Sequence, residues 1–389
     1  MKILYDYQCF MDTYGGISNC FVQLIKHLPS EVRYQIGIVD SDNVHLRESG
    51  LVEVQPIRLS RKTFIRKEHF PTKGHLYDFY KSLFPMHTSE GVNVRRSLEL
   101  LRSGQFDVFH PTYFHPYFLP YLGRTPFVLT IHDMTSEIVH DHNIQKKWKR
   151  LLAPKAAHIV TVSENSKRDI VAILGIPEEK ITVIYHAAPD DMPMPSASLF
   201  PFPYLLYTGQ RGGYKMFEPM MRAIASVLKR HEELHVVCTG GEFSKGEVKM
   251  LHELGLEERV HQRYVSDAEL QCLYAHARCF MYPSMYEGFG IPILEAFKQQ
   301  CPVLLNQASC FPEIAKDAAL FFHLDRSSGN VAEVLESFLN QSKGEIQSLL
   351  ERQSRRLRDF SWEKSARQLC KVYECVADGS SSGTSMPLR

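Results

Sequence analysis

Net charge is nearly absent from this chain of 389 residues: 45 Lys and Arg stand against 44 Asp and Glu, leaving +1. So even a balance excludes a general nucleic-acid binder and leaves room only for local basic patches. There is no Cys-x-x-Cys pair, and the nine cysteines, at 9, 20, 238, 272, 279, 301, 310, 370 and 375, are odd in number. Several lie in apolar runs, such as Cys238 in LHVVCTG and Cys279 in RCFMYPS. That pattern fits buried free thiols in a reducing compartment and excludes a disulfide framework. No apolar run is long enough for a membrane span; the longest notable uncharged stretch, Val108 to Gly123, is broken by three prolines and two histidines. Asp6 comes too early for a signal-peptide core, so a cytoplasmic location is expected. The Gly-x-Gly-x-x-Gly turn of a dinucleotide dehydrogenase is missing after the first strand, which weakens that reading.

What is present is an ordinary globular composition, 44% hydrophobic and 23% charged, arranged in alternation. KILYDY reads as a strand. Gly15-Gly16 then opens a helix with Ile17, Phe21, Leu24, Ile25 and Leu28 on one face, stopped by Pro29. Strands YQIGIVD, FDVFH, PFVLTIHD, HIVTVS and ITVIYH follow, with a helix from Ser163 to Leu174. Five prolines between Ala187 and Pro203 mark a linker. The alternation then restarts through YLLYT, LHVVCT, VHQRYV, CFMYPS and CPVLLN. Strand-helix alternation implies parallel sheets covered by helices, with ligands at the carboxyl ends of the strands. The expected fold class is therefore α/β, with two doubly wound domains facing across a cleft. Their bounds are residues 1–186 and 204–358, joined by 187–203. A closing helical segment 359–377 and a disordered tail 378–389 complete the chain.

The sharpest segment is YPSMYEGFGIPILEAFKQQCPVL. A strand ends near Tyr282, Glu287 lies in a loop with Gly288, Phe289 and Gly290, and a helix begins near Ile291. Glycines let backbone amides approach a ligand closely, and a helix N-terminus favours an anion such as phosphate. Glu287 is placed to accept hydrogen bonds from sugar hydroxyls, and Glu295 from a ribose. The bland alternative is a surface turn with two solvated glutamates.

The string resembles the signature of the retaining GT-B glycosyltransferases of family 4 (group 1) type. YGGISNCFVQLIKHL, PFVLTIHDM, IVTVSENSKRDI, YTGQRGGYKMF, VSDAELQCLYAHA and FSWEKSA resemble the same family in order, over about residues 1 to 377. The resemblance implies two Rossmann-like domains, a nucleotide-sugar donor held mainly by the C-terminal one, and transfer with retention of anomeric configuration. The final helix is expected to cross back to the N-terminal domain. Arg211 and Lys215 match the cations that grip the donor diphosphate. Two fixed cations stabilise the charge that grows on the leaving nucleotide, so neither a metal nor another cofactor is expected. The family often has Asn where this chain has Met216. Gly15 and Gly16 are expected to face the phosphate, and His132 to lie near sugar and phosphate. Gly209, Gly240 with Gly241, and Val265 with Ser266 complete the donor side, while His110 and Asp133 are acceptor-side candidates.

The stretch Arg58–Phe84 holds seven Lys or Arg, two acidic residues and six Phe or Tyr. It suits an anionic membrane surface or a lipid-linked acceptor; the other reading is a solvated loop with inward aromatics. The implied reaction moves a sugar to a glycan or lipid-linked acceptor in cell-surface polysaccharide or lipopolysaccharide synthesis, with peripheral contact to the inner face of the membrane. A non-catalytic nucleotide-sugar-binding subunit is the alternative.

Overall fold

The computed structural model describes residues 1–60, 63–65, 72–139, 144–190, 197–326 and 329–379. Arg61, Lys62, Arg66 and Lys67 of the basic stretch, the middle of the proline-rich segment and all but the start of the tail lie outside the described residues. The chain divides into two compact units. Unit 1 comprises Met1–Val162, Lys167–Ile184 and the chain from Trp362; unit 2 comprises Ser163–Ser166 and Tyr185–Ser361.

Unit 1 carries β1 (Lys2–Tyr5), β2 (Arg33–Ile36), β3 (Val108–His110), β4 (Val128–Ile131), β5 (His158–Thr161) and β6 (Ile181–Val183). They pair in parallel as β2-β1-β3 and β4-β5-β6, and a parallel bridge from Phe109 to Phe127 links the two ladders. The apolar strands β3, β4 and β5 are buried along their whole length, as parallel strands covered on both faces must be. The helix Gly16–Lys26 buries Phe21, Leu24 and Ile25 on its inner face. The final helix, Trp362–Ala377, buries Trp362, Leu369 and Tyr373.

Unit 2 carries β7 (Tyr204–Tyr207), β8 (His235–Thr239), β9 (Val260–Arg263), β10 (Cys279–Tyr282), β11 (Val303–Asn306) and β12 (Leu320–Phe322), all parallel in the order β12-β11-β10-β7-β8-β9. The chain builds outward from β7 to β9, returns to β10 and builds the other way. The carboxyl ends of β7 and β10 therefore lie side by side at the topological switch point, where open α/β sheets hold their ligands. The helix Phe217–Arg230 anchors this sheet by burying Phe217, Met220, Met221, Ile224 and Leu228.

The stretch read as a linker, 187–203, is fastened to unit 2 at both described ends. Lys298 Nζ donates to the carbonyls of Pro189 (2.5 Å) and Asp190 (2.6 Å), and the Cys272 thiol donates to that of Ala197 at 3.0 Å. Proline density alone suggests a free connection; the cation at the end of the Ile291–Lys298 helix takes up its carbonyls instead.

Candidate active site

The strand order of unit 2 explains why two segments 72 residues apart meet. The loop after β7 carries Arg211 and Lys215, and the loop after β10 carries Glu287. Lys215 Nζ lies 2.6 Å from Glu287 Oε1, both side chains partly buried. The loops are zipped by backbone as well: Met285 N donates to Tyr214 O at 2.8 Å. Ser309 and Cys310 hold the acidic loop from behind. The Ser309 hydroxyl donates to Glu287 O at 2.7 Å, and the Cys310 thiol donates to the carbonyls of Glu287 (3.3 Å) and Phe289 (3.2 Å). Burial and the Glu287 charge push the Tyr282 hydroxyl well above its ordinary pKa.

Arg211 differs from Lys215. Its side chain is only 6% exposed, and its Nε lies 2.7 Å from Glu247 Oε1. Nη2 donates to the carbonyls of Gly241 (2.6 Å) and Glu242 (2.8 Å), while the guanidinium stacks over Phe243. Arg211 thus pins the loop after β8, and Glu247 also closes the capping box of the Lys245–Leu254 helix with Ser244. Met216 takes the N-cap position of the Phe217–Arg230 helix with φ +58° and no side-chain cap. Asn tolerates that left-handed backbone better; here the Met side chain is buried in the core instead.

Glycine is required where the loops converge. Gly240 has φ +102°, and a Cβ there would stand 2.8 Å from Gly209 O; Gly209 itself has φ +91°. Gly290, at φ +88°, begins the Ile291–Lys298 helix, while Phe289 is buried against Tyr185, His186 and Phe360. Gly288 and Phe289 therefore offer backbone rather than side chain. Glu295 accepts from the Tyr274 hydroxyl at 3.3 Å, and burial pushes its carboxyl up to about 7, the Tyr274 hydrogen bond opposing. Val265 is half-buried after β9, and Ser266 is spent capping the next helix.

In unit 1, His132 and Asp133 follow β4. Burial pushes the His132 imidazole down to about 4, with Asp133 opposing and Lys149 adding to the shift, so the ring is neutral at physiological pH. Gly15 and Gly16 form the turn into the Gly16–Lys26 helix. Neither has a left-handed backbone, and a Cβ on Gly16 would meet nothing within 4 Å. His110 does not serve the acceptor side. It is fully buried, with Nδ1 at 2.6 Å from the Tyr373 hydroxyl and Nε2 at 2.8 Å from Thr130 Oγ1. Its position at a strand end suggests an open carboxyl terminus, but a helix 263 residues later closes over it.

Several supporting residues escape sequence reasoning. Lys149 and Glu137 form a buried ion pair at 2.9 Å, and Lys149 Nζ also donates to Asp133 O at 2.9 Å, fixing the turn that carries His132. Nothing in the QKKWKR run marks which lysine turns inward. Glu247 is legible, because Ser-x-x-Glu before an apolar run is a capping signature. Tyr264, exposed beside Gly241, follows a strand in plain view. The chain also contains an Asp-x-Asp string, Asp40–Asp42, a pattern that can hold a metal. In the structure Asp40 is buried at 3.0 Å from Arg58 Nε, and Asp42 accepts from Ile57 N at 3.1 Å, so both carboxylates hold the fold.

Two parallel-sheet units, one with a charged, glycine-lined loop pair at its switch point, define a doubly wound α/β protein. Comparison with known proteins goes further. The family model described as Glycosyl transferases group 1 matches residues 200–357, and that described as Glycosyltransferase Family 4 matches residues 14–191. The chain is 27% identical to O-antigen chain mannosyltransferase B of Escherichia coli, covering 97% of this chain and all of that one. It is 29% identical to O-antigen chain mannosyltransferase RfbU of Salmonella typhimurium over 51% of this chain and 56% of that one. Among solved structures, HepE of Anabaena in complex with UDP and glucose superposes with a TM-score of 0.71 at 16% identity, covering 96% of this chain and 99% of that one. The chain belongs to the group 1, family 4 glycosyltransferases, with the GT-B fold.

Proposed function

We propose that this glycosyltransferase moves a mannosyl residue from a nucleoside-diphosphate sugar to a glycan or lipid-linked acceptor, with retention and without a metal ion, in cell-surface polysaccharide or lipopolysaccharide synthesis. The choice of mannose and of the pathway rests on the names of the full-length E. coli relative and of the Salmonella one. One observation carries the chemistry: the 2.6 Å Lys215–Glu287 pair at the switch point of unit 2. A diphosphate brought to the amides of Gly288–Gly290 attracts Lys215 away from Glu287. The freed carboxylate then accepts from adjacent sugar hydroxyls. As the glycosidic bond breaks, Lys215 stabilises the charge gathering on the leaving phosphate, an interaction stronger in the transition state than in the ground state. With no protein nucleophile assigned, the leaving phosphate oxygen takes the proton of the attacking acceptor hydroxyl on the same face, which gives retention. Neutral His132 and the Gly15–Gly16 turn are the contribution of unit 1. Peripheral contact with the inner face of the membrane would bring a lipid-linked acceptor to that unit.

The test is melting-temperature screening against GDP- and UDP-linked hexoses, followed by transfer assays in excess EDTA with NMR of the product anomer. A donor that binds only the native state raises the melting temperature; a mannose nucleotide is expected to do so, and transfer to persist with EDTA and give the α-anomer from an α-linked donor. Binding without hydrolysis or transfer to any acceptor favours a non-catalytic subunit. Abolition by EDTA rejects metal independence, and an inverted product rejects retention.

A further inference from the structure

The strand order of unit 2 sets the acidic loop between two others. β10 pairs with β7 on one side and with β11 on the other. The Glu287 carboxylate turns toward Lys215, in the loop after β7. The main chain of its loop is gripped from the other side, by the residues that end and follow β11. Asn306, buried at the end of that strand, donates through Nδ2 to Pro283 O at 3.2 Å and to Leu324 O at 3.0 Å, while its Oδ1 accepts from Leu324 N at 3.0 Å. The Cys310 thiol is shared between the carbonyls of Glu287 and Phe289. The Phe311 ring lies 4.8 Å from that of Tyr282, and a Cβ on Gly290 would come within 3.1 Å of it.

The grip is tightest at Glu287 itself. One hydroxyl, Ser309 Oγ, accepts from Glu287 N at 3.2 Å and donates to Glu287 O at 2.7 Å. A serine has both a proton to give and lone pairs to receive one, so a single side chain meets both polar groups. Those groups flank the Glu287 Cα. Holding both fixes the two backbone torsions between them, and so the direction in which the side chain leaves the chain. Ser309 does this from φ +54°, a backbone that residues other than glycine seldom adopt. Glycine would take it freely but carries no hydroxyl. Strain of this kind gathers where a side chain serves function.

We propose that Ser309 is a positioning residue for sugar transfer: its hydroxyl holds the Glu287 backbone so that the carboxylate keeps its aim when a donor draws Lys215 away. The proposal rests on the reading of Glu287 given above. The side-chain contact is exchangeable, because a phosphate can replace the carboxylate as the partner of Lys215. The Ser309 contacts are to the main chain, on the β11 side, and survive that exchange. Ser309 touches neither phosphate nor sugar in this scheme. Its loss therefore lowers turnover and spares nucleotide affinity.

The experiment compares wild type, Ser309→Gly, Ser309→Ala, Glu287→Gln and the double variant Ser309→Gly with Glu287→Gln. Turnover is read as nucleoside diphosphate released from GDP-mannose or UDP-mannose, and affinity by titration with bare GDP and UDP. Ser309→Gly and Ser309→Ala both remove the hydroxyl, but only Gly also relieves the backbone, so Gly separates the hydrogen bonds from the strain. Both should lower kcat about tenfold or more, with KM and nucleotide affinity within about twofold of wild type. The double variant should turn over no more slowly than Glu287→Gln alone, because a residue acting through Glu287 has nothing left to position. Wild-type kcat in Ser309→Gly overturns the proposal. So does a matching loss of nucleotide affinity, or a double variant in which the two losses multiply, since either marks a purely structural serine. Wild-type turnover in Glu287→Gln itself rejects the reading of Glu287, and is seen separately from any effect at Ser309.

Discussion

The two units share one plan, a parallel sheet that builds one way from its first strand and then the other, yet they equip it oppositely. Unit 2 fills its switch point with paired charges: Lys215 with Glu287, and Arg211 with Glu247. Unit 1 offers a neutral histidine, a buried Lys149–Glu137 pair beneath it, and a glycine turn with open space beside Gly16. A common fold therefore settles only where a ligand meets the sheet. What the units can offer a ligand differs by loop residues: paired charges in unit 2, a neutral ring and bare backbone in unit 1.

The largest effect that would sharpen this contrast is expected at Glu287. Glu287→Gln keeps the shape but replaces one acceptor by a donor, so transfer should fall on the order of a hundredfold or more. A loss under threefold would move sugar recognition elsewhere. Next comes Gly16→Ala. Nothing in unit 1 meets the added methyl, and Ala suits the first helical turn. The melting temperature should hold or rise, while turnover falls about ten- to a hundredfold if donor phosphate passes close to that turn. Unchanged turnover would make the glycines plain punctuation.

Arg211 and Lys215 should separate. Arg211→Ala strips partners from Glu247 and from the carbonyls of Gly241 and Glu242, so it should cost about 1.5–3 kcal/mol of stability as well as donor affinity. Lys215→Ala should lower donor affinity and turnover about ten- to a hundredfold with little change in melting temperature. Chemical denaturation of the two variants side by side decides this; equal stability would show that Arg211 holds the fold no more than Lys215 does.

The smallest effect is a pair of opposite pH slopes. Glu295, pushed up to about 7 by burial, keeps its proton in the folded state while the unfolded chain releases it near 4.5. Its contribution to stability therefore falls as pH rises through 4.5 to 7. His132 and His158 of unit 1, both pushed down to about 4 by burial, stay neutral when folded while the unfolded chain takes up protons near 6.5. Their contribution falls as pH drops from 6.5 toward 4. Glu295→Gln should gain melting temperature over wild type increasingly between pH 4.5 and 7; a constant difference would contradict the raised carboxyl.

Much of the architecture is legible in the amino-acid sequence. Short apolar strands alternating with helices imply two parallel sheets, because only buried parallel strands read as unbroken apolar runs. The Glu287–Gly290 string and the cations of YTGQRGGYK stand out locally. Partner choice does not. Whether Lys215 meets Glu287 depends on β7 and β10 being neighbours, a property of strand order and not of either segment. His110 misleads for the same reason: Tyr373, which closes over it, belongs to the last helix. Likewise the cations of Arg58–Phe84 stand out as charge, while the fold neutralises Arg58 and Lys81 and leaves Phe79 and Leu83 in water.

The central claim is that Lys215 and Glu287 hold one another until a donor diphosphate separates them. Calorimetric titration of GDP and UDP into wild type, Lys215→Ala and Glu287→Gln tests it directly, since the bare nucleotide carries the diphosphate without the sugar. Lys215→Ala should bind the preferred nucleotide about ten- to a hundredfold more weakly, whereas Glu287→Gln, with its lysine released, should bind it as tightly as wild type or more tightly. Equal losses of affinity in both variants would contradict the account and place Glu287 on the nucleotide or in the fold instead.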